Sequence, residues 1–461
     1  MTLHGTPTPT PTPTPGPAPD TDALALVRAL AAGERAPRAD RDRARRRRLD
    51  DLVAHARDRS PFYRERLRPP SGPVDLASLP TVDKATLTAH FDDVVCDRRL
   101  RRDAVQEYLA SGPGEPYLGE YRVMSTSGSS GSPGVFVYDR AGWAGYLAQF
   151  LQVVGFAGIR PWERPGLRVG VVSAVDPRHA SSQVALACAR LGLARPLPLP
   201  VTLPMERIVA GLNEYRPDVL HAYGSYAALL ADEQLAGRLR IAPHTVTSSS
   251  EPLTPDMAAR VEAAFGVAPY DFYATTEGLW AGQCPEHDGF HVLEEHVVAE
   301  NVDADGHPVP DGEPGARVLV TNLFNRVQPL IRYEIPDIVT LDPEPCPCGR
   351  TLRRFRSVAG RSDDVLRLDG VDVHPLQFAA LASDPGVREF QVRQRGRRLV
   401  LRTVPADGVS VADVASRLGE QVTAALRGLG IASPEVTVEA CTELPRSAGG
   451  KLQLVVADPD R

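Results

Sequence analysis

Between residues 143 and 273 the sequence alternates between helical and strand-like segments, and this alternation restricts the fold more than any other feature. Short apolar runs such as Leu167–Ser173 are typical of buried strands, and segments with helical periodicity separate them. The strand-like segments are Leu167–Ser173, Ala194–Leu203, Asp218–Tyr223, Thr245–Ser249 and Pro269–Tyr273, and the helical ones are Trp143–Val154, Ser181–Leu191, Glu206–Tyr215, Tyr226–Leu239 and Pro255–Phe265. This pattern predicts an α/β domain with a mainly parallel sheet, which binds ligands at loops beyond the carboxyl ends of its strands.

The flanking segments differ in character and indicate where the chain divides. Residues 1–21 carry the Thr-Pro repeat Thr6–Pro15 and offer little to bury, so we expect a disordered tail. The pattern is mostly β from His291 to Leu341, and the C-terminal part reads as a smaller α+β unit. Its predicted strands are Val365–Leu368, Glu389–Arg393, Arg398–Thr403 and Glu435–Ala440, and its predicted helices are Pro375–Leu381 and Val411–Leu429. We therefore predict a large domain over residues 22–361, with a β-rich portion, and a small one over residues 362–461.

Charge and hydropathy narrow the class of protein. The net charge of -6 gives no reason to expect nucleic acid as a partner. No apolar run approaches the roughly 18 residues needed to cross a membrane, and the N-terminus lacks the apolar core of a signal peptide. We expect a cytoplasmic enzyme without a membrane partner, and the sequence leaves a homodimer open.

A loop rich in small and hydroxylated residues, Ser125–Ser132, leads into the apolar Val135–Val137. Gly128 and Gly131 can adopt positive φ, so backbone N–H groups can turn toward an anion, and phosphate is the guest we expect. The alternative is a flexible surface linker, which Ser/Gly tracts often form. No Lys follows the second glycine, so this is not a P-loop of the Gly-x4-Gly-Lys-Ser/Thr type.

The segment Asp271–Gly278 places two hydroxyls and a carboxylate in consecutive positions after a β-prone run. A threonine hydroxyl can donate to a phosphate oxygen while the carboxylate of Glu277 binds Mg²⁺, a cation that prefers oxygen ligands. The alternative is that Thr276 and Glu277 begin a helix, where such residues serve as caps.

Four residues have the chemistry of a zinc site. Cys346 and Cys348 are one residue apart, and Cys284 and His291 lie together in an earlier segment. Three thiolates and an imidazole can form a closed tetrahedral Zn²⁺ site, which is structural because no position is left open for a substrate. His287 competes with His291 for the fourth position, since both lie within reach of Cys284.

These segments together resemble the adenylate-forming enzymes, and more narrowly the phenylacetate-coenzyme A ligase branch. The resemblance runs from about Ser60 to Lys451. Its motifs are weak individually, but their order and spacing are specific. They are Ser60–Arg66, Leu79–Lys84, the Ser/Gly loop, Ser250–Pro252, Tyr273–Glu277, Arg332–Asp337, Cys346–Arg350, Gly360–Asp364 and Pro445–Lys451.

The resemblance implies a site for ATP, Mg²⁺ and a small-molecule carboxylic acid. Lys451 would act on the substrate carboxylate and the α-phosphate, which makes Lys451 and Thr276 the expected catalytic residues. Asp363 falls at the family's hinge, so the small domain is expected to be mobile. The remaining implied roles are β- and γ-phosphate binding by Ser127, Gly128, Ser129, Ser130 and Gly131, adenine contact by Glu251, Pro252 and Tyr273, α-phosphate contact by Thr276, Mg²⁺ binding by Glu277, ribose binding by Asp337, and ribose or phosphate contact by Arg361. Apart from the resemblance, Asp337 reads as a turn residue and Lys451 as a surface lysine.

The implied function is ATP-dependent activation of an acid, which we expect to be aryl or arylacetic, as an acyl adenylate, followed by transfer to coenzyme A. Tyr146, Tyr223, Tyr226 and Trp280 are candidates to line an aromatic pocket for the acid. The chain departs from the family in the phosphate loop, where Pro133 has no adjacent Lys. Two alternatives stay open: transfer to an amine, a carrier-protein thiol or another nucleophile, and a non-catalytic nucleotide-binding relative, which the missing lysine motivates.

Overall fold

The computed structural model describes residues 22–67, 72–112, 114–126, 133–361, 364–373, 377–378, 381, 384, 386–406, 408–447 and 450–457. The predicted tail at residues 1–21, the phosphate-loop residues 127–131 and Asp363 lie outside these residues. The helices are α1 (Asp22–Gly33), α2 (Arg38–Arg59), α3 (Pro61–Arg66), α4 (Lys84–Ala89), α5 (Phe91–Val94), α6 (Arg102–Ala110), α7 (Arg140–Phe156), α8 (Ala180–Arg190), α9 (Met205–Tyr215), α10 (Gly224–Leu235), α11 (Pro255–Phe265) and α12 (Val411–Gly428), with a 3₁₀ helix at Leu76–Ser78.

The strands fall into a large lobe and a smaller C-terminal lobe, which comprises the described residues from 364 onward. The large lobe contains β1 (Arg122–Ser125), β2 (Val135–Tyr138), β3 (Leu167–Ser173), β4 (Ala194–Pro200), β5 (Val219–Ala222), β6 (Thr245–Ser249), β7 (Tyr270–Ala274), β8 (Trp280–Gln283), β9 (Phe290–Val292), β10 (Val297–Val302), β11 (Arg317–Asn322), β12 (Tyr333–Ile335), β13 (Asp337–Leu341) and β14 (Arg354–Arg361). The C-terminal lobe contains β15 (Leu366–Leu368), β16 (Val371–Val373), β17 (Val387–Arg395), β18 (Arg398–Pro405), β19 (Glu435–Ala440) and β20 (Val455–Val456).

A nine-stranded sheet organises the large lobe, in the order β13-β14-β9-β8-β7-β6-β5-β3-β4. The strands from β4 to β7 pair in parallel, and those from β7 to β13 pair antiparallel. The α/β prediction is confirmed, but the sheet is mixed, because the antiparallel half comes from segments outside the alternating region. The change of direction falls between β7 and β8, where the chain turns back without a crossover helix.

Local sequence sets the ends of the helices that flank this sheet. In α11 the Thr254 hydroxyl accepts a hydrogen bond from Met257 N at 3.3 Å, Pro255 occupies the first turn, and Gly266 ends the helix with φ of 73°. In α7 the Asp139 carboxylate accepts from Gly142 N at 2.7 Å. These caps satisfy N–H groups that the first helical turn cannot pair internally.

The C-terminal lobe has a core of its own. Its sheet runs β19-β18-β17-β20, and α12 buries Val414, Leu418, Val422 and Leu426 at four-residue spacing. This spacing places one apolar stripe of the helix against the sheet. The predicted helix Pro375–Leu381 lies largely outside the described residues.

Four predicted elements agree with the structure in both bounds. They are Leu167–Ser173, Thr245–Ser249, Pro255–Phe265 and Glu435–Ala440. The alternative that Thr276 and Glu277 begin a helix is wrong, because they lie in the turn between β7 and β8. In the described part of the chain, no helix has both the length and the apolarity required to cross a membrane.

Candidate active site

The turn between β7 and β8 lies beside a cavity of about 1030 Å³, and Thr276 and Glu277 line it. Neighbouring side chains hold the turn through its carbonyls. Tyr138 Oη donates to Thr276 O at 2.6 Å, and Asn322 Nδ2 donates to Glu277 O at 2.8 Å. Gly278 adopts φ of 98°, and a Cβ there would lie 2.5 Å from the Asn322 amide nitrogen, so the turn requires glycine.

Glu277 is the carboxylate in this turn. Burial, followed by the nearby charge of Asp337, raises its pKa to about 7, while a backbone hydrogen bond and Arg361 act in the opposite direction. A carboxylate held in a desolvated position gains from a bound cation. Mg²⁺ sites beside nucleotides commonly use one or two carboxylates together with phosphate oxygens and water, and Glu277 fits that pattern.

Asp337 and Arg361 line the same cavity from two paired strands. Asp337 begins β13 and lies opposite Arg361, at the end of β14, in the strand register. Arg361 Nε is 3.5 Å from Asp337 Oδ1, and the hydroxyl of Tyr273 donates to Asp337 Oδ2. These two contacts orient the carboxylate, and it can accept hydrogen bonds from a polyhydroxylated ligand.

Lys451 reaches this cavity from the C-terminal lobe. Its ammonium lies 5.7 Å from the centre of the Tyr223 ring. Burial lowers the pKa of Lys451, while the charges of Glu251 and Asp337 raise it and that of Arg361 lowers it further. Lys451 thus lies in the cavity within the electrostatic influence of two carboxylates of the large lobe.

A group of contacts that the sequence did not reveal joins the two lobes beside Lys451. Glu251 accepts a hydrogen bond from Ser225 N at 3.1 Å through Oε2 and one from Leu452 N at 2.6 Å through Oε1. Arg446 Nη1 donates to Ser225 Oγ at 2.9 Å, and its guanidinium lies 4.7 Å from the centre of the Tyr226 ring. We call these five residues the interlobe clasp, which sets the position of the lysine backbone relative to the large lobe.

The residues predicted to contact adenine are placed differently from the other predicted site residues. Neither Glu251 nor Pro252 lines the cavity; the Glu251 carboxylate is engaged in the interlobe clasp, and Pro252 is exposed. Tyr273 does not line the cavity either, but its hydroxyl donates to Asp337, which does. The structure thus brings Thr276, Glu277, Asp337, Arg361 and Lys451 together at one cavity and leaves the adenine assignment as a prediction.

The phosphate-loop residues Ser127, Gly128, Ser129, Ser130 and Gly131 lie outside the described residues, but the hairpin that carries them borders the site. Ser125 pairs with Val135 across β1 and β2, and Thr126 N donates to Gly134 O at 3.0 Å. Ser125 and Thr126 both line the cavity. The last described residue before the loop therefore lies at this cavity.

The predicted zinc ligands are also brought together. Ligand atoms of Cys284, His291, Cys346 and Cys348 all lie within 4.8 Å of one another, and Cys348 Sγ is 3.2 Å from His291 Nε2. His287 is not in this group, and its ring lies 4.5 Å from that of Tyr270. Three thiols and an imidazole converging without a disulfide fit a tetrahedral Zn²⁺ ion.

The loop that carries Cys346 and Cys348 contacts the connection between the first two helices. Arg35 Nη2 donates to Cys348 O at 3.2 Å, and Arg350 Nε lies 2.8 Å from a Glu34 carboxylate oxygen. Both Glu34 and Arg35 lie in the connection between α1 and α2. None of the four residues of this cluster lines the cavity, which is consistent with a structural role.

Comparisons with known proteins show what the chain is similar to. No family model matches the chain. It is 30% identical over 453 residues to a phenylacetate-coenzyme A ligase of Thermus thermophilus, covering 89% of this chain and 94% of the relative. Its fold is similar to that of a 2-hydroxyisobutyryl-CoA ligase in a postadenylation state, with a TM-score of 0.75 and 23% identity, covering 93% of this chain and 91% of the other. Against that ligase in a thioesterification state, the TM-score is 0.58 at 25% identity, covering 92% and 91%.

The two-lobed fold and the shared cavity define an adenylate-forming enzyme. Within that class, the chain belongs to the phenylacetate-coenzyme A ligase family. The family resemblance in the sequence is thereby confirmed. Similarity over nearly the whole of both chains means that this assignment includes the C-terminal lobe.

Proposed function

We propose that the protein activates a carboxylic acid with ATP and transfers the acyl group to coenzyme A. A carboxylate oxygen attacks the α-phosphorus, the bond to the β-phosphate oxygen breaks, and pyrophosphate leaves. The thiol sulfur of coenzyme A then attacks the acyl carbon, the acyl–phosphate bond breaks, AMP leaves and the thiol proton is released. The observation that carries this proposal is the convergence of Lys451 with Thr276, Glu277, Asp337 and Arg361 on one cavity.

Each of these residues has a role that follows from its chemistry. The Lys451 ammonium stabilises the negative charge that accumulates on the carboxylate and α-phosphate in the first step, and the Thr276 hydroxyl donates to an α-phosphate oxygen. Asp337 accepts the ribose hydroxyls, and Arg361 beside it contacts the ribose or phosphates. Backbone N–H groups and hydroxyls of residues 127–131 bind the β- and γ-phosphates. Tyr273 and the Glu251-Pro252 segment border adenine.

Two metal ions belong to this proposal. Glu277 would hold Mg²⁺, which when bound neutralises charge on the triphosphate. Cys284, His291, Cys346 and Cys348 would hold Zn²⁺, which would fix the loop that contacts Glu34 and Arg35. The donor sets support both assignments, oxygen for the hard cation and sulfur with nitrogen for zinc.

We propose further that residues 22–361 and 362–461 are separate domains and that the small one changes orientation between the two steps. The higher similarity to a postadenylation state than to a thioesterification state, 0.75 against 0.58 in TM-score, supports this view. Lys451 lies in the cavity in the arrangement described here, which suits the first step. A rotation about residues near Asp363 would withdraw it and open the acyl carbon to the thiol.

The test is release of pyrophosphate from ATP, measured with a panel of aryl and alkyl acids, with and without coenzyme A. We expect acid-dependent pyrophosphate in both cases and an acyl-coenzyme A product, detected by mass spectrometry, only when coenzyme A is present. Pyrophosphate without any thioester would move the acceptor to an amine or a carrier protein. No acid-dependent pyrophosphate across the panel would contradict the proposal.

A further inference from the structure

The cavity continues from the nucleotide end into the large lobe, between one face of the central sheet and helices α7 and α8. Three of the four aromatic candidates, Tyr146, Tyr223 and Trp280, line it, whereas Tyr226 lies under Arg446. The Tyr146 hydroxyl donates to Thr275 O at 3.1 Å, which fixes this part of α7 beside the β7–β8 turn. Tyr146 therefore marks the end of this part of the cavity that lies nearest the β7–β8 turn, and the length of the cavity is given from Tyr146 inward.

The wall formed by β3 gives a first measure of depth. Val171, Val169 and Leu167 alternate along the strand, line the cavity and are partly exposed, although β3 pairs with strands on both sides. Apolar residues on an inner strand retain exposure only when the layer above the sheet is not filled. From Val171 to Leu167 the strand rises about 13 Å, at roughly 3.3 Å per residue.

The two helical walls give matching lengths. On α7, Tyr146, Phe150 and Val154 line the cavity at four-residue spacing, over a rise of about 12 Å. On α8 the cavity is lined from Ser181 to Cys188, over a rise of about 10 Å. Because α8 connects the parallel strands β3 and β4, it runs in the opposite direction to β3. It begins after His179, which lines the cavity as Lys451 does, so the walls formed by α8 and by β3 from Val171 to Leu167 extend in the same direction.

These deep walls are uncharged. Among the described residues that line the cavity on β3, α7 and α8, none is Asp, Glu, Lys or Arg. His221, on the neighbouring strand β5, has both ring nitrogens near hydroxyls, with Nδ1 3.0 Å from Thr247 Oγ1 and Nε2 3.3 Å from Ser249 Oγ. A ligand reaching past this level meets apolar side chains, so a charged group at its far end would be left unpaired.

We infer that the substrate is a monocarboxylic acid with an elongated, uncharged apolar body of about 10–13 Å, the length of the three walls. A methylene and a phenyl ring reach only about 6 Å beyond a carboxyl carbon at ordinary bond lengths. Phenylacetate would therefore leave the deep half of the pocket unfilled. This inference rests on the proposed acid activation and specifies its substrate class.

The test compares acids of graded length in acid-dependent pyrophosphate release. Phenylacetate and 4-butylphenylacetate form one pair, and hexanoate and decanoate form the other, so the two pairs distinguish a long aryl acid from a fatty acid. Four added carbons buried in an apolar pocket should raise kcat/KM by about two-hundredfold. Preference for phenylacetate over every longer acid would overturn the inference and leave the proposed function intact.

A variant that blocks the deep half of the pocket adds a second readout. Ala185 lines the cavity one helical turn inward from Ser181, and its neighbour Leu186 is 41% exposed and does not line it. Ala185→Phe should lower kcat/KM for the longer acids at least about tenfold, since filling the pocket removes the buried contacts, and change that for phenylacetate little. Leu186→Phe, the matched control on the solvent side, should change neither.

Direct binding separates failure of the inference from failure of the proposed function. If no acid of any length supports pyrophosphate release, the proposed function fails, and calorimetry with 4-butylphenylacetate and decanoate then decides the pocket. Binding to the wild type that is lost in Ala185→Phe would support the elongated pocket without any turnover. Absence of binding to the wild type would overturn it. The length profile of the wild type stands even if the variant does not fold.

Discussion

Substitution of Glu251 by Gln tests whether the interlobe clasp controls the first half-reaction. The carboxylate bonds Ser225 N with one oxygen and Leu452 N with the other. A glutamine amide keeps the shape but has one oxygen, so one of these N–H groups loses its acceptor. In the docked arrangement that N–H is excluded from water, whereas after undocking Leu452 N–H can bond to solvent. The substitution therefore destabilises the docked arrangement, in which the clasp is formed and Lys451 lies in the cavity, relative to the undocked one.

The structure sets the size of the effect. A hydrogen bond to a charged group contributes about 1.5–3 kcal/mol, so the docked population should fall by about 10- to 160-fold relative to the undocked one. If the docked arrangement is not fully populated in the wild type, the adenylation rate of the variant should fall by up to this factor. The thioester-forming step does not use Lys451 in the proposed scheme, so it should be unchanged.

The charge lost in Glu251→Gln also predicts a change in pH dependence. Burial lowers the pKa of Lys451, and the charge of Glu251 raises it. Adenylation requires the protonated lysine, so its rate should fall as pH rises through that lowered pKa. Removing the Glu251 charge lowers the pKa further, so the alkaline limb should move to lower pH in the variant.

Rapid-quench measurement of pyrophosphate in a single turnover reports the first step, and thioester formation from a synthetic acyl adenylate reports the second. Glu233→Gln is the matched control, because Glu233 pairs with Arg238 at the surface of the same lobe. Equal losses in both steps would indicate general damage to the fold. An unchanged first step with an unmoved alkaline limb would refute the proposed role of the clasp.

Three further predictions address other parts of the molecule. Lys451→Ala should lower adenylation by about 10²- to 10³-fold and leave thioester formation from the acyl adenylate unaffected; full adenylation activity would exclude the lysine from the site. Elemental analysis should find one zinc per chain, lost with a lowered Tm in Cys348→Ser and retained in Cys441→Ser, and zinc-free wild-type protein would contradict the metal assignment. Arg446→Met should destabilise the protein by about 3–5 kcal/mol in urea unfolding, because the buried Glu389 carboxylate loses its guanidinium partner, and a change near zero would count against that pairing.

Sequence patterns predicted the parallel half of the sheet well because each of its strands is a short strand-like run separated from the next by a helix. It did not predict β14, whose sequence begins Arg-Phe-Arg. There Arg354 is almost fully buried, and its guanidinium is paired with Asp288 and Asp342. Charged side chains neutralised by partners distant in sequence conceal a buried strand, and a single sequence contains no sign of that pairing.

The residues that line the cavity could be predicted from the sequence for a different reason. Thr276, Glu277, Asp337 and Lys451 occur in short motifs whose order resembles a known family. The interlobe clasp could not be predicted from the sequence, because it joins a carboxylate to a backbone N–H group two hundred and one residues away. Arg446 lies inside the Pro445–Lys451 motif, yet only the folded chain reveals its contacts with Ser225 and Tyr226.

The electrostatics of Lys451 suggest why the lobes would separate once the adenylate has formed. The cation is desolvated in the docked arrangement, and burial outweighs the two carboxylates that favour its charge, since its pKa is lowered overall. A bound triphosphate and substrate carboxylate add negative charge at the cavity and favour docking. Departure of pyrophosphate removes most of that charge, so the same burial cost then opposes docking. The reaction itself would thereby shift the lobe equilibrium toward the arrangement in which the thiol can reach the acyl carbon.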